Sequence, residues 1–236
     1  MADNLRVVIA AAGRGRRMED QINKQYILLG SRPVLAYSLE FFENIDKVDR
    51  IVVVARKKEI EYCRREVVER YGFKKVSHIV AGGKERQNSV WAGLQQLGRD
   101  TDYVAVHDGA RPLLSSKVLY DLLRTAEEWG AAIPGVAGKD TLKMVDRDGF
   151  VRQTMDRESI YSIQTPQVFK YAELLHAYQQ ANEEGFIGTD DASLFEHFIG
   201  RVKVVKGDER NIKITTQDDL ILTHALLQAY GLLHTE

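Results

Sequence analysis

Two glycine-containing loops carry side chains that could bind phosphate groups. The first follows a short apolar run and reads AAAGRGRRM at residues 10–18, with Lys24 a few residues further on. Its small residues and glycines let backbone N–H groups approach a phosphate closely, and Arg16 and Arg17 add positive charge. A tight strand-to-helix turn would also explain the glycines, but the surrounding basic residues favour polyphosphate binding.

This first loop does not match the two commonest nucleotide-binding fingerprints. No Gly-Lys-Ser/Thr sequence follows at the Walker A spacing, and Met18 stands where the third glycine of G-x-G-x-x-G belongs. The sequence therefore argues against an ATPase of the P-loop class and against an NAD-binding protein.

The second loop, GGKERQNSV at residues 82–90, also follows a strand-like run. Ser89 either caps the following helix or contacts a ligand, and Asn88 is a competing candidate for the cap. The sequence leaves these alternatives open.

A third loop, DGARP at residues 108–112, follows the strand-like run YVAVH. Asp108 places one carboxylate beside the predicted phosphate site, and Mg²⁺ commonly takes one or two carboxylates together with water and substrate phosphates. Asp108 is therefore a candidate Mg²⁺ ligand, although it could also be a structural turn residue.

Short β-branched runs alternate with longer amphipathic segments along most of the chain. This pattern predicts an α/β fold, a Rossmann-like three-layer sandwich with a mostly parallel sheet covered on both faces. Ligands of such sheets bind beyond the carboxyl ends of the strands, where the three loops lie. The predicted strands are 5–11, 50–55, 76–81, 103–107, 131–136 and 201–205, and the predicted helices are 33–42, 57–71, 89–97, 116–129, 171–184, 191–198 and 217–230.

The alternation stops at about residues 139–160, where two extended runs flank an Asp-Gly pair. This pattern indicates a β-hairpin arm attached to one domain that spans residues 1–236. The arm has few apolar residues, and we hypothesise that it packs on a second subunit.

Bulk composition narrows the class of protein. Lys and Arg number 33 and Asp and Glu number 34, so the net charge of −1 does not suggest a nucleic-acid binder. The lone cysteine, Cys63, excludes an intrachain disulfide framework and fits a reducing compartment. No apolar run approaches the roughly 20 residues that span a bilayer, so we expect a cytoplasmic protein with no membrane partner.

Several motifs in order resemble one family. AAGRGRRM followed by KQY at residues 24–26 is similar to the opening signature of sugar-nucleotide pyrophosphorylase-like nucleotidyltransferases. Later motifs extend the likeness along nearly the whole chain to the 2-C-methyl-D-erythritol 4-phosphate cytidylyltransferase family of the non-mevalonate isoprenoid pathway. These later motifs are GGKERQNSV, VHDGARP, KDTLK, DR at 156–157, TPQVF, GTDDAS and NIK.

The resemblance implies roles for individual residues. Arg17 and Lys24 would stabilise the transition state, Arg157 and Lys213 would position the acceptor, and Asp108 would hold Mg²⁺ or another divalent cation. The implied nucleotide-binding residues are Ala11, Ala12, Gly13, Gly15, Lys24, Gly82, Arg86 and Ser89. The implied acceptor-binding residues are Asp108, Arg111, Thr141, Arg157, Thr189 and Lys213.

The resemblance further implies a homodimer in which the arm of one subunit reaches the active site of the other. The substrates would be CTP and a sugar-alcohol phosphate, here 2-C-methyl-D-erythritol 4-phosphate. Ribitol 5-phosphate is an alternative acceptor, and a non-catalytic nucleotide-binding module is an alternative of another class. Two departures concern the nucleotide loop: Asn23 stands where many relatives have proline, and Arg14 is a bulky charge between two glycines.

Overall fold

A mixed sheet of eight strands lies at the centre of the molecule in the computed structural model, which describes residues 4–13 and 23–235. The strand order is β10-β7-β11-β6-β1-β4-β5, and β12 pairs with β7. The strands are β1 (Leu5–Ala10), β2 (Leu28–Leu29), β3 (Arg32–Pro33), β4 (Val48–Ala55), β5 (Val76–Ala81), β6 (Tyr103–Asp108), β7 (Ala131–Ala137), β8 (Lys143–Val145), β9 (Val151–Thr154), β10 (Tyr161–Ile163), β11 (Gln167–Lys170) and β12 (Lys203–Lys206).

Helices cover both faces of this sheet. They are α1 (Val34–Glu43), α2 (Ile60–Cys63), α3 (Arg86–Leu94), α4 (Ser116–Trp129), α5 (Tyr171–Glu184), α6 (Asp191–Phe198) and α7 (Gln217–Ala229). None of the helices described here has both the length and the apolar character needed to cross a membrane.

The central strands are apolar on both faces because each face packs against helices. Successive side chains of β1 point to opposite sides, so Val7 joins a core with α1 and α4 while Val8 joins a second core with α3 and α5. β1 pairs in parallel with β4 and β6, as the continuous apolar runs predict. The predicted α/β sandwich is confirmed.

Two short strands of the eight-stranded sheet, β10 and β11, were not predicted from the sequence. β10 and β11 pair antiparallel with β7, and β11 also pairs antiparallel with β6. They place the segment between them, Gln164 to Pro166, beside the carboxyl end of β6. A further difference is the predicted helix 57–71, which consists of a 3₁₀ turn, α2 and a π-helical segment at Arg64–Glu69.

The predicted β-hairpin is present. β8 and β9 pair antiparallel in a sheet of their own, with Gly149 at a φ of +87° in the turn between them. The Asp146 carboxylate accepts hydrogen bonds from the N–H groups of Asp148 and Phe150 and so closes this turn.

Residues near His234 pack against the β2–β3 turn and against α1. The carbonyl of His234 accepts a hydrogen bond from the Ser31 N–H at 2.8 Å, and the His234 ring lies 2.9 Å from Glu40. The Tyr37 hydroxyl donates to the Leu29 carbonyl at 2.6 Å. These contacts fix the β2–β3 turn, which follows the 3₁₀ turn at Lys24–Tyr26.

Candidate active site

Loops that follow β1, β5 and β6 meet at one edge of the sheet around a cleft of about 560 Å³, a volume typical of small-molecule sites. Seven residues predicted from the sequence line this cleft: Ala12, Gly13, Lys24, Arg86, Ser89, Asp108 and Lys213. Lys84, Glu85 and Gln25 also line it and were not predicted.

The nucleotide loop is held from behind by side chains. The Arg56 guanidinium donates to the carbonyls of Ala12 and Gly13, at 3.4 and 2.9 Å. Ala11 itself is buried, and its N–H donates to the Val54 carbonyl, so it supports the loop from below the cleft. Arg17, Gly15 and Arg14 lie outside the described residues.

Asn23, the departure from proline, has a φ of −63°, the angle that proline itself would impose. Its side-chain amide donates to Glu59 at 2.9 Å and to the Ala11 carbonyl at 3.4 Å. Glu59 also pairs with Arg56. Side-chain hydrogen bonds therefore tether this position in place of the proline ring.

The second glycine loop packs closely on the first. A Cβ on Gly82 would collide with the Ala12 side chain, so only glycine fits there. Ser89 donates to the Glu85 carbonyl at 3.1 Å and accepts from the Gly83 N–H at 3.1 Å, which shapes the loop. Neither cap candidate is the N-cap residue: α3 begins at Arg86 and Glu85 precedes it, and the Asn88 side chain accepts from the Glu85 N–H.

Asp108 is the centre of a cluster of cations. Its carboxylate lies 2.6 Å from Lys213, 3.2 Å from Arg86 and 3.9 Å from Arg111. Burial alone would raise the pKa of Asp108, but the positive charges of Arg86, Lys213 and Arg111 outweigh burial and hold the pKa well below its usual value. The carboxylate therefore stays ionised at neutral pH.

Lys24 lies at the other wall of the cleft, where its ammonium donates to the Ile214 carbonyl at 2.8 Å. Burial, and then the nearby charge of Lys213, lower the pKa of Lys24, whereas Asp108 raises it. An ammonium that is partly desolvated and repelled by neighbouring cations gains most when an anion enters. This environment favours a polyanionic ligand.

Arg86 is fixed by a buried carboxylate that the sequence did not predict. Asp191 is fully buried; it accepts from Arg86 at 2.7 Å and from the Tyr178 hydroxyl at 2.5 Å. Burial would lower the pKa of Arg86, but the charges of Asp191 and Asp108 raise it well above its usual value. The motif GTDDAS contains two adjacent aspartates. Asp190 caps α6, whereas Asp191 points into the interior, so the second aspartate was the sequence signal for this buried carboxylate.

The remaining predicted acceptor residues lie apart from the cleft wall. Arg111 is almost buried and donates to the Asn211 carbonyl at 2.7 Å. Thr189 is exposed in the loop before α6, and Thr141 and Arg157 are exposed on the arm. Within this chain the fold brings Arg111 and Lys213 to Asp108 but leaves the two arm residues elsewhere.

The cleft offers few side chains that could coordinate Mg²⁺. Within residues 4–13 and 23–235, no three His, Cys, Asp or Glu side chains converge as a metal site. Asp108 supplies one ionised carboxylate, so the residues fit an ion whose other ligands are phosphate oxygens and water. They do not fit an ion held by protein alone.

Comparison with known proteins places the whole chain in one group. The family model described as 2-C-methyl-D-erythritol 4-phosphate cytidylyltransferase matches residues 5–229. Relatives of that name from Caldanaerobacter subterraneus and Geotalea uraniireducens are 43% and 47% identical, over 95% and 94% of this chain and 99% and 96% of their own.

A solved structure agrees with the sequence comparison. The 4-diphosphocytidyl-2C-methyl-D-erythritol synthase of Anaerococcus prevotii is 35% identical, covers 96% of this chain and 97% of its own, and superimposes with a TM-score of 0.84. The fold is thus shared with that synthase over nearly the whole of both chains. This chain belongs to the 2-C-methyl-D-erythritol 4-phosphate cytidylyltransferase family.

Proposed function

We propose that this protein transfers CMP from CTP to 2-C-methyl-D-erythritol 4-phosphate, giving 4-diphosphocytidyl-2-C-methyl-D-erythritol and pyrophosphate for isoprenoid precursor synthesis. The carrying observation is the cleft in which Arg86 and Lys213 contact the ionised Asp108, Arg111 packs beside that carboxylate, and Lys24 lies at the other wall. Such an excess of positive charge suits two phosphorylated reactants. Full-length similarity to relatives of that name supports the choice of substrates.

The chemistry follows from charge. A phosphate oxygen of the acceptor attacks the α-phosphorus of CTP, a new P–O bond forms, and the bond to pyrophosphate breaks on the opposite side. No base is needed because the phosphate monoester is already a charged nucleophile. The protein's part is positioning and electrostatic stabilisation: Lys24 and Arg17 would neutralise charge at the α-phosphoryl oxygens and the leaving group.

Asp108 would be the protein ligand of Mg²⁺, as part of the same proposal. The ion, when bound, supplies neutralisation of the phosphate charges. Asp108 also orients Lys213 and Arg86, which its carboxylate contacts at 2.6 and 3.2 Å. Lys213 would then position the acceptor phosphate beside the α-phosphate.

We propose that the protein is a homodimer joined through the arm. Four apolar side chains of the arm are about half exposed or more: Met144, Val145, Phe150 and Val151. Such a patch is normally buried in an interface, and a dimer would let Thr141 and Arg157 reach the partner's acceptor. A monomeric mass in size-exclusion chromatography with light scattering would contradict this arrangement.

We also propose a cytoplasmic location, which suits the reduced and buried Cys63.

The proposed function is tested by following pyrophosphate release from CTP and Mg²⁺, with methylerythritol 4-phosphate and ribitol 5-phosphate in parallel. Release with the first acceptor and not the second is the expected result. Release only with ribitol 5-phosphate would overturn the choice of acceptor and leave the nucleotide chemistry intact. CTP binding in a thermal-shift assay without turnover on either acceptor would favour a nucleotide-binding module.

A further inference from the structure

The segment Gln164–Gln167, which joins β10 to β11 and includes the first residue of β11, is buried beside the carboxyl end of β6. Its three side chains that can form hydrogen bonds, Gln164, Thr165 and Gln167, are 8%, 5% and 1% exposed. Each of the three reaches a different part of the site. We refer to these four residues as the QTPQ segment.

Gln164 holds the loop that leads to Lys213. Its amide nitrogen donates to the carbonyls of Asp208 and Asn211, at 2.8 and 3.3 Å, and its oxygen accepts from the Asp208 N–H at 3.2 Å. Gly207 leaves room for this amide, because a Cβ there would lie 2.6 Å from the Gln164 oxygen. Lys213 lies two residues beyond Asn211 in the chain. The hydrogen bonds of Gln164 to Asp208 and Asn211 therefore help to set the direction of the Lys213 side chain.

Thr165 holds the backbone of Asp108. Its hydroxyl oxygen accepts from the Asp108 N–H at 3.0 Å and lies 3.1 Å from His107 Nδ1. His107 Nε2 faces the Arg111 carbonyl at 3.1 Å and must therefore donate, which leaves Nδ1 to accept from Thr165. Complete burial lowers the pKa of His107 to about 3, so the neutral ring that this chain of hydrogen bonds requires is the one present.

Gln167 holds the loop that carries Thr189. Its amide nitrogen donates to the Asp190 carboxylate at 2.7 Å, and its oxygen accepts from the Ala192 N–H at 3.1 Å. Gln87 binds the other end of the same loop: its amide nitrogen donates to the Phe186 carbonyl, and its oxygen accepts from the Gly188 N–H. Thr189 is therefore exposed on a loop whose two ends are both fixed by buried amides.

We propose that the QTPQ segment is the positioning element of the acceptor site, with Gln164 acting through Lys213 and Gln167 acting through Thr189. This inference rests on the proposed function, because it assumes that these two side chains contact the acceptor phosphate ester. Gln164 and Gln167 touch neither reactant; they set the distance between two acceptor-binding side chains and Asp108. Loosening the loop that Gln164 holds weakens acceptor binding and leaves the nucleotide loops after β1 and β5 in place. Gln167 contacts Asp190 and Ala192, the neighbours of the Asp191 that fixes Arg86, so loosening its loop weakens acceptor binding first and CTP binding to a smaller extent.

Gln164→Met and Gln167→Met test this inference, since methionine has nearly the size of glutamine but forms no such hydrogen bonds. Each change removes two or more hydrogen bonds of about fivefold each, so the KM for the acceptor is expected to rise about 25-fold or more. The KM for CTP should stay within about twofold for Gln164→Met, and for Gln167→Met it should rise less than the KM for the acceptor. Gln180→Met, which removes one amide contact to Glu183 on the outer face of α5, is the matched control and should change neither constant.

Double-mutant cycles separate positioning from general loss of stability. Once Lys213 is alanine, Gln164→Met should have little further effect on the acceptor KM, whereas Gln167→Met should keep its full effect; in the Thr189→Ala background the order should reverse. If a methionine variant does not fold, Gln164→Asn and Gln167→Asn, which shorten the side chain by one methylene and add no charge, serve instead. Equal rises of both KM values, or additive effects in every background, would overturn the inference. Failure of the proposed function is distinguishable, because it would show as absent turnover in the unmodified protein.

Discussion

Replacing Asp191 by asparagine should both destabilise the protein and weaken its hold on CTP. Asp191 is fully buried, and its two oxygens accept from Arg86 at 2.7 Å and Tyr178 at 2.5 Å. An asparagine of the same shape brings an NH₂ group, which would face one of these donors and form no bond. The change also leaves Arg86 with a single charged partner, Asp108.

The size of the effect follows from these contacts. Breaking a buried ion pair by neutralising one partner costs about 3–5 kcal/mol. Arg86 keeps Asp108 at 3.2 Å and its side chain is 28% exposed, so the lower end, about 3 kcal/mol, is expected. For a chain of 236 residues this corresponds to a fall in melting temperature of about 6–12 °C. A less constrained Arg86 should raise the KM for CTP about tenfold, or about 1.4 kcal/mol.

Urea unfolding followed by circular dichroism measures the first effect, and initial rates of pyrophosphate release measure the second. Asp218→Asn, an exposed carboxylate in the first turn of α7, is the matched control and should stay within about 0.5 kcal/mol of the unmodified protein. A urea midpoint for Asp191→Asn equal to that of the control would refute the argument that the buried pair holds Arg86.

Three further predictions concern charge at the site. Lys24→Ala and Arg17→Ala should each lower kcat by about a hundredfold or more, about 3 kcal/mol of transition-state stabilisation, while circular dichroism stays unchanged; near-normal turnover would remove the assigned role. Lys213→Ala should raise the KM for the acceptor more than it lowers kcat, and an unchanged KM in steady-state assays would contradict this. The pKa of His107 is about 3 in the folded protein and about 6.5 in the unfolded chain. Between these two pH values the unfolded chain binds a proton on His107 and the folded protein does not. Stability should therefore fall as pH drops from about 6.5 towards 3, by up to about 1.4 kcal/mol per unit, and urea titrations of His107→Asn should show a flatter dependence; identical slopes would exclude His107 as the cause.

Much of the sheet could be predicted because its strands are apolar on both faces. β6 is a continuous run of buried residues and so is β4 from Ile51 to Ala55, and this pattern does not depend on which neighbours they pair with. β10 and β11 are only three and four residues long and contain serine and glutamine, so no period reveals them. They are strands because β7 and β6 offer them partners, which is a property of the assembled fold.

The residues of the site also divide into those that the sequence pattern could predict and those that it could not. Asp108 could be predicted because it ends β6, at the edge of the sheet where ligands of such folds bind, and Lys24 because it follows the glycine loop after β1. Asp191 could not, since its importance comes from Arg86, which lies 105 residues away in the sequence. Gln164 and Gln167 were missed for a related reason: an amide that binds backbone groups of a distant loop leaves no periodic signal.

The hydrogen bond from Lys24 to the Ile214 carbonyl links residues that are 190 positions apart. During synthesis at about 5–20 residues per second, Lys24 therefore waits roughly 10–40 s after it is made before its partner exists. The ribosome completes the strands β1, β4 and β6 well before this contact can form. A nascent chain can thus hold its central sheet while the Lys24 ammonium still lacks its partner, so this wall of the cleft is completed only after Ile214 has been made.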